Sequence, residues 1–282
     1  DIDTTERYTF VQGNICNRSI IEPVFSAGID MVINFAAESH VDRSIDDPSV
    51  FLKTNILGTE TLLEAARKNN VGRFVQISTD EVYGSLGAEG LFTESSPLKP
   101  NSPYSASKTG ADLLVRSYHK TYNLETITTR CSNNYGPFQF PEKLVPLFIS
   151  NALDDIPLPV YGDGLNVRDW IFVEDHCKAI ALAAKKGKAG EVYNIGGSCE
   201  KTNLEMTDTI LTLLKKPLSL KTFVPDRLGH DRRYAIDSSK VSNELGWKPE
   251  VSFEEGLQKT ITWYLDNQVW RERIKSGAYQ KG

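Results

Sequence analysis

The chain has 282 residues, 40% hydrophobic and 24% charged, long enough to bury a substantial core and ordinary in balance for a soluble protein. Its net charge of -5 argues against non-specific nucleic-acid binding, and no apolar run approaches the ~20 residues needed to cross a bilayer. Cys16, Cys131, Cys177 and Cys199 form no CxxC pair, and His40, His119, His176 and His230 show no metal-ligand spacing. Reduced thiols in a cytoplasmic protein without a zinc site are therefore expected.

Residues 8–12 are a short strand candidate, and 30–35 form a compact apolar run that reads as a buried parallel strand. Residues 48–70 carry Phe51, Leu52, Ile56, Thr59, Leu62, Leu63 and Ala66 at helical spacing. Pro48 suits the first turn of that helix, and Gly72 lies just past its end. A buried strand follows at 73–78, a long helix at 103–122 and a β-rich run at 125–130. This β-α-β-α-β order predicts an α/β fold with a parallel, doubly wound sheet. After Arg130, five prolines between Pro137 and Pro159 cut the pattern into short pieces. A helix over 142–153 and a loop through Gly162 and Gly164 are assigned to a smaller lobe. A strand at 168–173, a helix at 174–186 and a strand at 191–195 that could return to the main sheet come next. Helices at 203–215 and 253–267 complete the pattern.

A dinucleotide-binding sheet normally opens with a strand, a glycine-rich turn and a helix whose N-terminus holds a pyrophosphate. Neither G-x-x-G-x-x-G nor G-x-G-x-x-G occurs here. The sequence is thus expected to start after the first βαβ unit. In the strand order 3-2-1-4-5-6, losing two strands would leave a gap within the sheet.

Two motifs carry chemistry. Tyr104 and Lys108 form a Y-x-x-x-K pair on one helix face. A phenol is a poor base at neutral pH, and an ammonium beside it favours the phenolate. Alone, this spacing is a weak signal. It gains weight from Ser78-Thr79-Asp80-Glu81-Val82-Tyr83-Gly84, which follows the apolar strand. Ligands of parallel sheets sit beyond the carboxyl ends of strands, so Thr79, Asp80 and Glu81 are placed in the crevice. Adjacent acids there are either loop solvation and helix capping or an acid/base pair in different protonation states.

Together these motifs resemble the extended short-chain dehydrogenase/reductase family, and within it the nucleotide-sugar 4,6-dehydratases that act on dTDP-glucose. Further segments agree: 36–42, 133–137, 168–170 and 226–234. The resemblance implies a Rossmann-type sheet lacking its first βαβ unit, with residues 1–131 and 167–196 holding NAD. A smaller lobe of 132–166 and 197–282 would hold the nucleotide sugar. It also implies a cytoplasmic homodimer packed through the helices at 48–70 and 103–122, and a place in dTDP-rhamnose biosynthesis. In the implied reaction Tyr104 removes the 4-hydroxyl proton, Thr79 hydrogen-bonds that oxygen, Glu81 is the base at carbon 5 and protonated Asp80 the acid at the 6-hydroxyl. Lys108 supports Tyr104 and holds a ribose hydroxyl.

By the same resemblance NAD lies against Asn14, Ile15, Ala36, Ala37, Glu38, Ser39, Thr54, Tyr104, Lys108 and Asn134. The nucleotide sugar would meet His40, Thr79, Asn133, Lys143, Leu144, Pro159, Val160, Tyr161, Arg168 and Asn203, then Asp226, Arg227, Leu228, Gly229 and His230. The planar fork of Arg168 suits a diphosphate; a surface ion pair with Asp163 or Asp169 is the alternative. Lys143 is either a phosphate contact or an ordinary helix charge, and His40 could be structural. Cys131 is read as packing rather than as a nucleophile. UDP-glucose, an epimerase or decarboxylase of the same family, and an inactive fragment remain alternatives.

Overall fold

The computed structural model describes residues 6–277. Its first part contains α1 (Arg18–Ser26), β1 (Met31–Asn34), α2 (Val41–Asp46), α3 (Pro48–Phe51), a π-helical segment (Leu52–Gly58), α4 (Thr59–Lys68), β2 (Arg73–Thr79), a short 3-10 turn (Asp80–Tyr83), α5 (Pro103–Tyr122) and β3 (Thr126–Cys131). The remainder contains β4 (Asn133–Tyr135), α6 (Leu144–Leu153), β5 (Leu158–Tyr161), β6 (Val167–Phe172), α7 (Val173–Lys186), β7 (Val192–Ile195), β8 (Glu200–Thr202), α8 (Asn203–Leu213), β9 (Lys221–Val224), α9 (Ser239–Leu245), α10 (Phe253–Asp266) and α11 (Gln268–Lys275).

The expected parallel sheet is present, in the order β1-β2-β3-β7 with every pair parallel. The strand anticipated at 191–195 does return to it, beside β3. Phe74, Val75, Ile127, Tyr193 and Ile195 are wholly buried, so β2, β3 and β7 are covered on both faces. The strand expected to be buried at 30–35 is not: β1 forms at the sheet edge, and Met31, Ile33 and Phe35 are exposed. One apolar cluster joins the sheet to α7 and α9, and another joins it to α1, α4 and α5. Each such side chain contributes roughly 1.5–3 kcal/mol on burial. A third cluster, around Tyr135, Phe148, Trp170, Leu257 and Tyr264, belongs to α6, α8 and α10 and to the small sheet β4-β6-β8.

Residues 8–12 do not form the predicted strand. Tyr8, Phe10 and Val11 are exposed, and no neighbouring strand takes their backbone N–H and C=O groups. In the order 3-2-1-4-5-6 this segment would stand on the far side of the expected gap; the strands that do form are contiguous. The helix expected over 48–70 is found, but its centre widens into a π-turn. Its reversal uses Asn70, at φ 54°, rather than Gly72. The helix at 103–122 has its predicted bounds. Ser102 and Ser105 form a reciprocal cap, Pro103 occupies the first turn, and left-handed Asn123 ends it.

Candidate active site

β2 and α5 position the side chains of the two motifs. β2 ends at Thr79, whose hydroxyl accepts a hydrogen bond from the Glu81 N–H at 3.3 Å. That cap turns the chain into the 3-10 segment carrying Asp80 and Glu81. Gly84 ends the turn at φ 84°, where an added Cβ would lie 2.3 Å from the Lys99 carbonyl oxygen, so only glycine fits. On α5, Tyr104 and Lys108 both face inward. The backbone N–H of Tyr104 donates to Ser44 Oγ at 3.1 Å, and Lys108 Nζ donates to the Ile77 carbonyl at 2.6 Å. Thr79, Asp80, Glu81, Tyr104 and Lys108 line one cavity of about 490 Å³ beyond the carboxyl ends of β2 and β3. The two sequence motifs are thus brought together around one cavity.

The two carboxyls differ in environment. Asp80 is 1% exposed and its Oδ2 has no hydrogen-bond partner. Burial, then the neighbouring Glu81, pushes its pKa well above the usual carboxylate range. Glu81 is only partly screened from the cavity and is also raised by burial, but Lys143, Arg227 and Arg168 pull against that shift. Asp80 thus holds its proton while Glu81 is the readier to ionise, which separates an acid from a base. Tyr104 departs from expectation. Burial and then Glu81 raise its phenol well above its ordinary value, and Lys108, drawn to the Ile77 carbonyl, does not reverse this. The thiol of Cys131 is pushed up to about 12 by burial, so it is a packing group and not a nucleophile at neutral pH.

Most of the predicted binding residues share this cavity. Ala37, Ser39 and His40 line it from the loop after β1. Asn133 and Asn134 come from β4, and Lys143 and Leu144 from the start of α6. Pro159, Val160 and Tyr161 come from β5, Arg168 from β6, and Asn203 from α8. Arg227 and His230 close the far side. Arg168 pairs with neither Asp163 nor Asp169. It donates to the carbonyls of Val167 and Asp231 and lies 4.4 Å over the Tyr234 ring, while Arg232 takes Asp163. Lys143 is no ordinary helix charge, since its Nζ turns inward to the Ser39 carbonyl. His40 Nδ1 accepts from the Arg43 N–H at 3.3 Å and so caps α2 as well as lining the cavity.

Other predicted residues stand off the cavity wall. Ala36 and Glu38 alternate with the lining residues, their N–H groups held by Asn34 and Asn55. Thr54 lies in the π-turn, Asn14 accepts from the Cys16 N–H, and Ile15 packs over Gly58. Asp226 binds His230 Nδ1 at 2.6 Å, Leu228 is exposed, and Gly229 crosses close to the Asn101 carbonyl. Conversely, Ser78, Gln139, Glu142, His176 and Tyr234 line the cavity without having been singled out. Tyr234 lay inside a matched segment and was the one most open to detection.

The cavity carries open polar atoms that a dinucleotide could engage. Ser78 Oγ, Asp80 Oδ2 and His176 Nε2 are buried without partners, and all three residues line the cavity. Buried polar atoms left open in this way fit a polar ligand.

The sequence profile of the GDP-mannose 4,6 dehydratase family matches residues 1–260. A dTDP-glucose 4,6-dehydratase of Actinoplanes sp. is 52% identical over 94% of this chain and 82% of its own length. That of Neisseria meningitidis serogroup B is 51% identical over 99% and 85%. Among solved structures, the dTDP-glucose 4,6-dehydratase DesIV from Streptomyces venezuelae, with NAD bound, superposes with a TM-score of 0.95 at 52% identity, over 97% of this chain and 84% of that one. A UDP-glucose 4-epimerase from Thermotoga maritima superposes at 0.89 with 29% identity, over 95% and 87%.

Proposed function

The chain belongs to the dTDP-glucose 4,6-dehydratase family of extended short-chain dehydrogenases/reductases, and on that premise we propose how its residues convert dTDP-glucose to dTDP-4-keto-6-deoxyglucose. NAD, when bound, would supply the hydride acceptor for carbon 4 and the hydride donor for carbon 6. Lys108, Asn134, Ala37 and Ser39, which line the cavity, would hold it.

Tyr104 takes the proton of the sugar's 4-hydroxyl, and Thr79 hydrogen-bonds the same oxygen. The ketone that results acidifies carbon 5. Glu81 removes the carbon 5 proton, and Asp80 delivers its own proton to the departing 6-hydroxyl, which leaves as water; when carbon 6 regains the hydride, the protonated Glu81 returns a proton to carbon 5. Each positioned proton transfer contributes typically ~100- to 10,000-fold. Arg168, Lys143 and Arg227 provide the positive wall for the diphosphate. The observation that carries this assignment is the buried Asp80 carboxyl beside Glu81, its Oδ1 held by the Thr79 hydroxyl and its Oδ2 open, in the cavity shared with Tyr104 and Lys108. An epimerase needs no second proton donor at carbon 6, so the pair favours dehydration.

Residues 1–131 with 167–196 are read as the cofactor part and 132–166 with 197–282 as the sugar-nucleotide part. The separate apolar cluster of α6, α8 and α10 supports two parts, but it takes in Trp170 and Phe172 of β6, whose sheet partners are β4 and β8, so 167–172 pack with the sugar-nucleotide part. Leu52, Leu57, Leu113 and Tyr122 remain exposed on the helices of 48–70 and 103–122, which favours a homodimer; a monomeric mass by light scattering would remove it. A cytoplasmic enzyme supplying a deoxysugar such as rhamnose fits this chemistry.

Product analysis with dTDP-glucose tests the assignment. The parent yields a 4-keto-6-deoxy sugar, and Glu81→Gln loses elimination while still oxidising carbon 4. An unchanged carbon 6 with inverted carbon 4 would make it an epimerase, and equal dehydration by both proteins would remove Glu81 from its role.

A further inference from the structure

His176 stands in the first turn of α7 and is 6% exposed. Its Nδ1 lies 2.8 Å from Asn134 Oδ1. The neighbours fix the tautomer. Asn134 Nδ2 is 3.0 Å from the Ser132 carbonyl oxygen and 3.4 Å from Cys131 Sγ. A carbonyl only accepts, so the amide nitrogen faces it and the amide oxygen faces His176. That oxygen also only accepts, so His176 Nδ1 carries the proton. Burial lowers the imidazole pKa to about 4, which leaves the ring neutral and Nε2 bare. Nε2 has no partner.

Asn134 is thereby held on every side. Its carbonyl accepts from Gln139 Nε2 at 2.9 Å, and its backbone is paired with β6. It lines the cavity together with Ser78, Lys108 and Cys131, beyond the ends of β2 and β3.

Resting on the dehydratase assignment above, we propose that His176 is a positioning residue for NAD. Its neutral Nδ1–H locks the Asn134 wall at the nicotinamide end and keeps positive charge away from a ring that is itself cationic when oxidised. Only the donor at Nδ1 is needed for the lock, so an asparagine amide at this position reproduces it, while an isosteric leucine does not.

Equilibrium titration with NAD separates these cases. His176→Leu weakens NAD about tenfold, ~1.4 kcal/mol, the scale of one net hydrogen bond. His176→Asn stays within about twofold of the parent on the same scale. Unaltered NAD affinity in His176→Leu overturns the assignment, as does His176→Asn binding as weakly as His176→Leu. Nitrogen-15 histidine NMR of the parent is an arm that no misfolded variant can spoil. A protonated Nδ1 with bare Nε2 at neutral pH is expected, and the opposite tautomer or an imidazolium refutes the lock. A parent that binds no NAD would instead sink the dehydratase assignment, and the NMR arm would still judge the hydrogen bond.

Discussion

Asp112→Ala should cost more stability than any substitution in the catalytic pair. Asp112 Oδ2 lies 2.9 Å from Arg130 Nε, with the two side chains 2% and 6% exposed. Arg130 Nη1 also donates to Tyr83 Oη at 2.9 Å, and that hydroxyl donates to Asn194 Oδ1 at 2.8 Å. Removing the carboxylate leaves a guanidinium buried without its counter-charge, a loss of about 3–5 kcal/mol. Against a total of about 5–15 kcal/mol, that is a large share. At ~2–4 °C per kcal/mol for a chain approaching this size, the melting temperature falls by roughly 6–20 °C. Tyr83 is the last residue of the turn that bears Asp80 and Glu81, so activity should fall with the residual folded fraction. Urea and thermal unfolding measure this. A companion Asp112→Leu/Arg130→Met double variant should recover much of the loss, because the charges are removed together. Asp112→Ala unfolding within about 1 kcal/mol of the parent would refute the reasoning, since a buried charge cannot lose its partner so cheaply.

Asp80→Asn should keep the fold and carbon 4 oxidation but slow water loss by ~100- to 10,000-fold, read as NADH accumulating in single turnovers while product lags; equal rates of both steps would remove Asp80 as the acid. For His176 the folded pKa is depressed, to about 4 from 6.5. Its stability contribution is therefore full above pH 6.5 and is lost as pH falls from there towards about 4. The parent-minus-His176→Asn stability difference should shrink by up to on the order of 3 kcal/mol over that window; a difference independent of pH contradicts it.

The groups proposed to react were legible because each pair lies within one short stretch of chain. A strand that ends in Thr-Asp-Glu must deliver those side chains to the sheet's carboxyl edge, and a four-residue spacing on a helix puts Tyr104 beside Lys108. Periodicity likewise revealed the strands and long helices, because burial on both sheet faces writes itself as apolar runs. It failed for α1, where Pro23 argues against a helix, and for α2 and α9, which are too short to show a period. It failed differently at 8–12, a short strand candidate for which no partner strand forms among the described residues.

What spacing alone could not reach is the charge balance that separates the two acids. Lys143, Arg168 and Arg227 come from three distant segments, and each is turned inward by a backbone or carboxylate partner. Their common effect on Glu81 exists only once those segments are folded against β2. Asp80, one residue earlier, is wholly buried, and for it desolvation outweighs the opposing pull of Arg168. The same dipeptide on a solvated loop would hold two ordinary carboxylates. The division of labour between acid and base is thus a property of which residue faces the cations and which faces the core, and it follows from the turn that Thr79 caps.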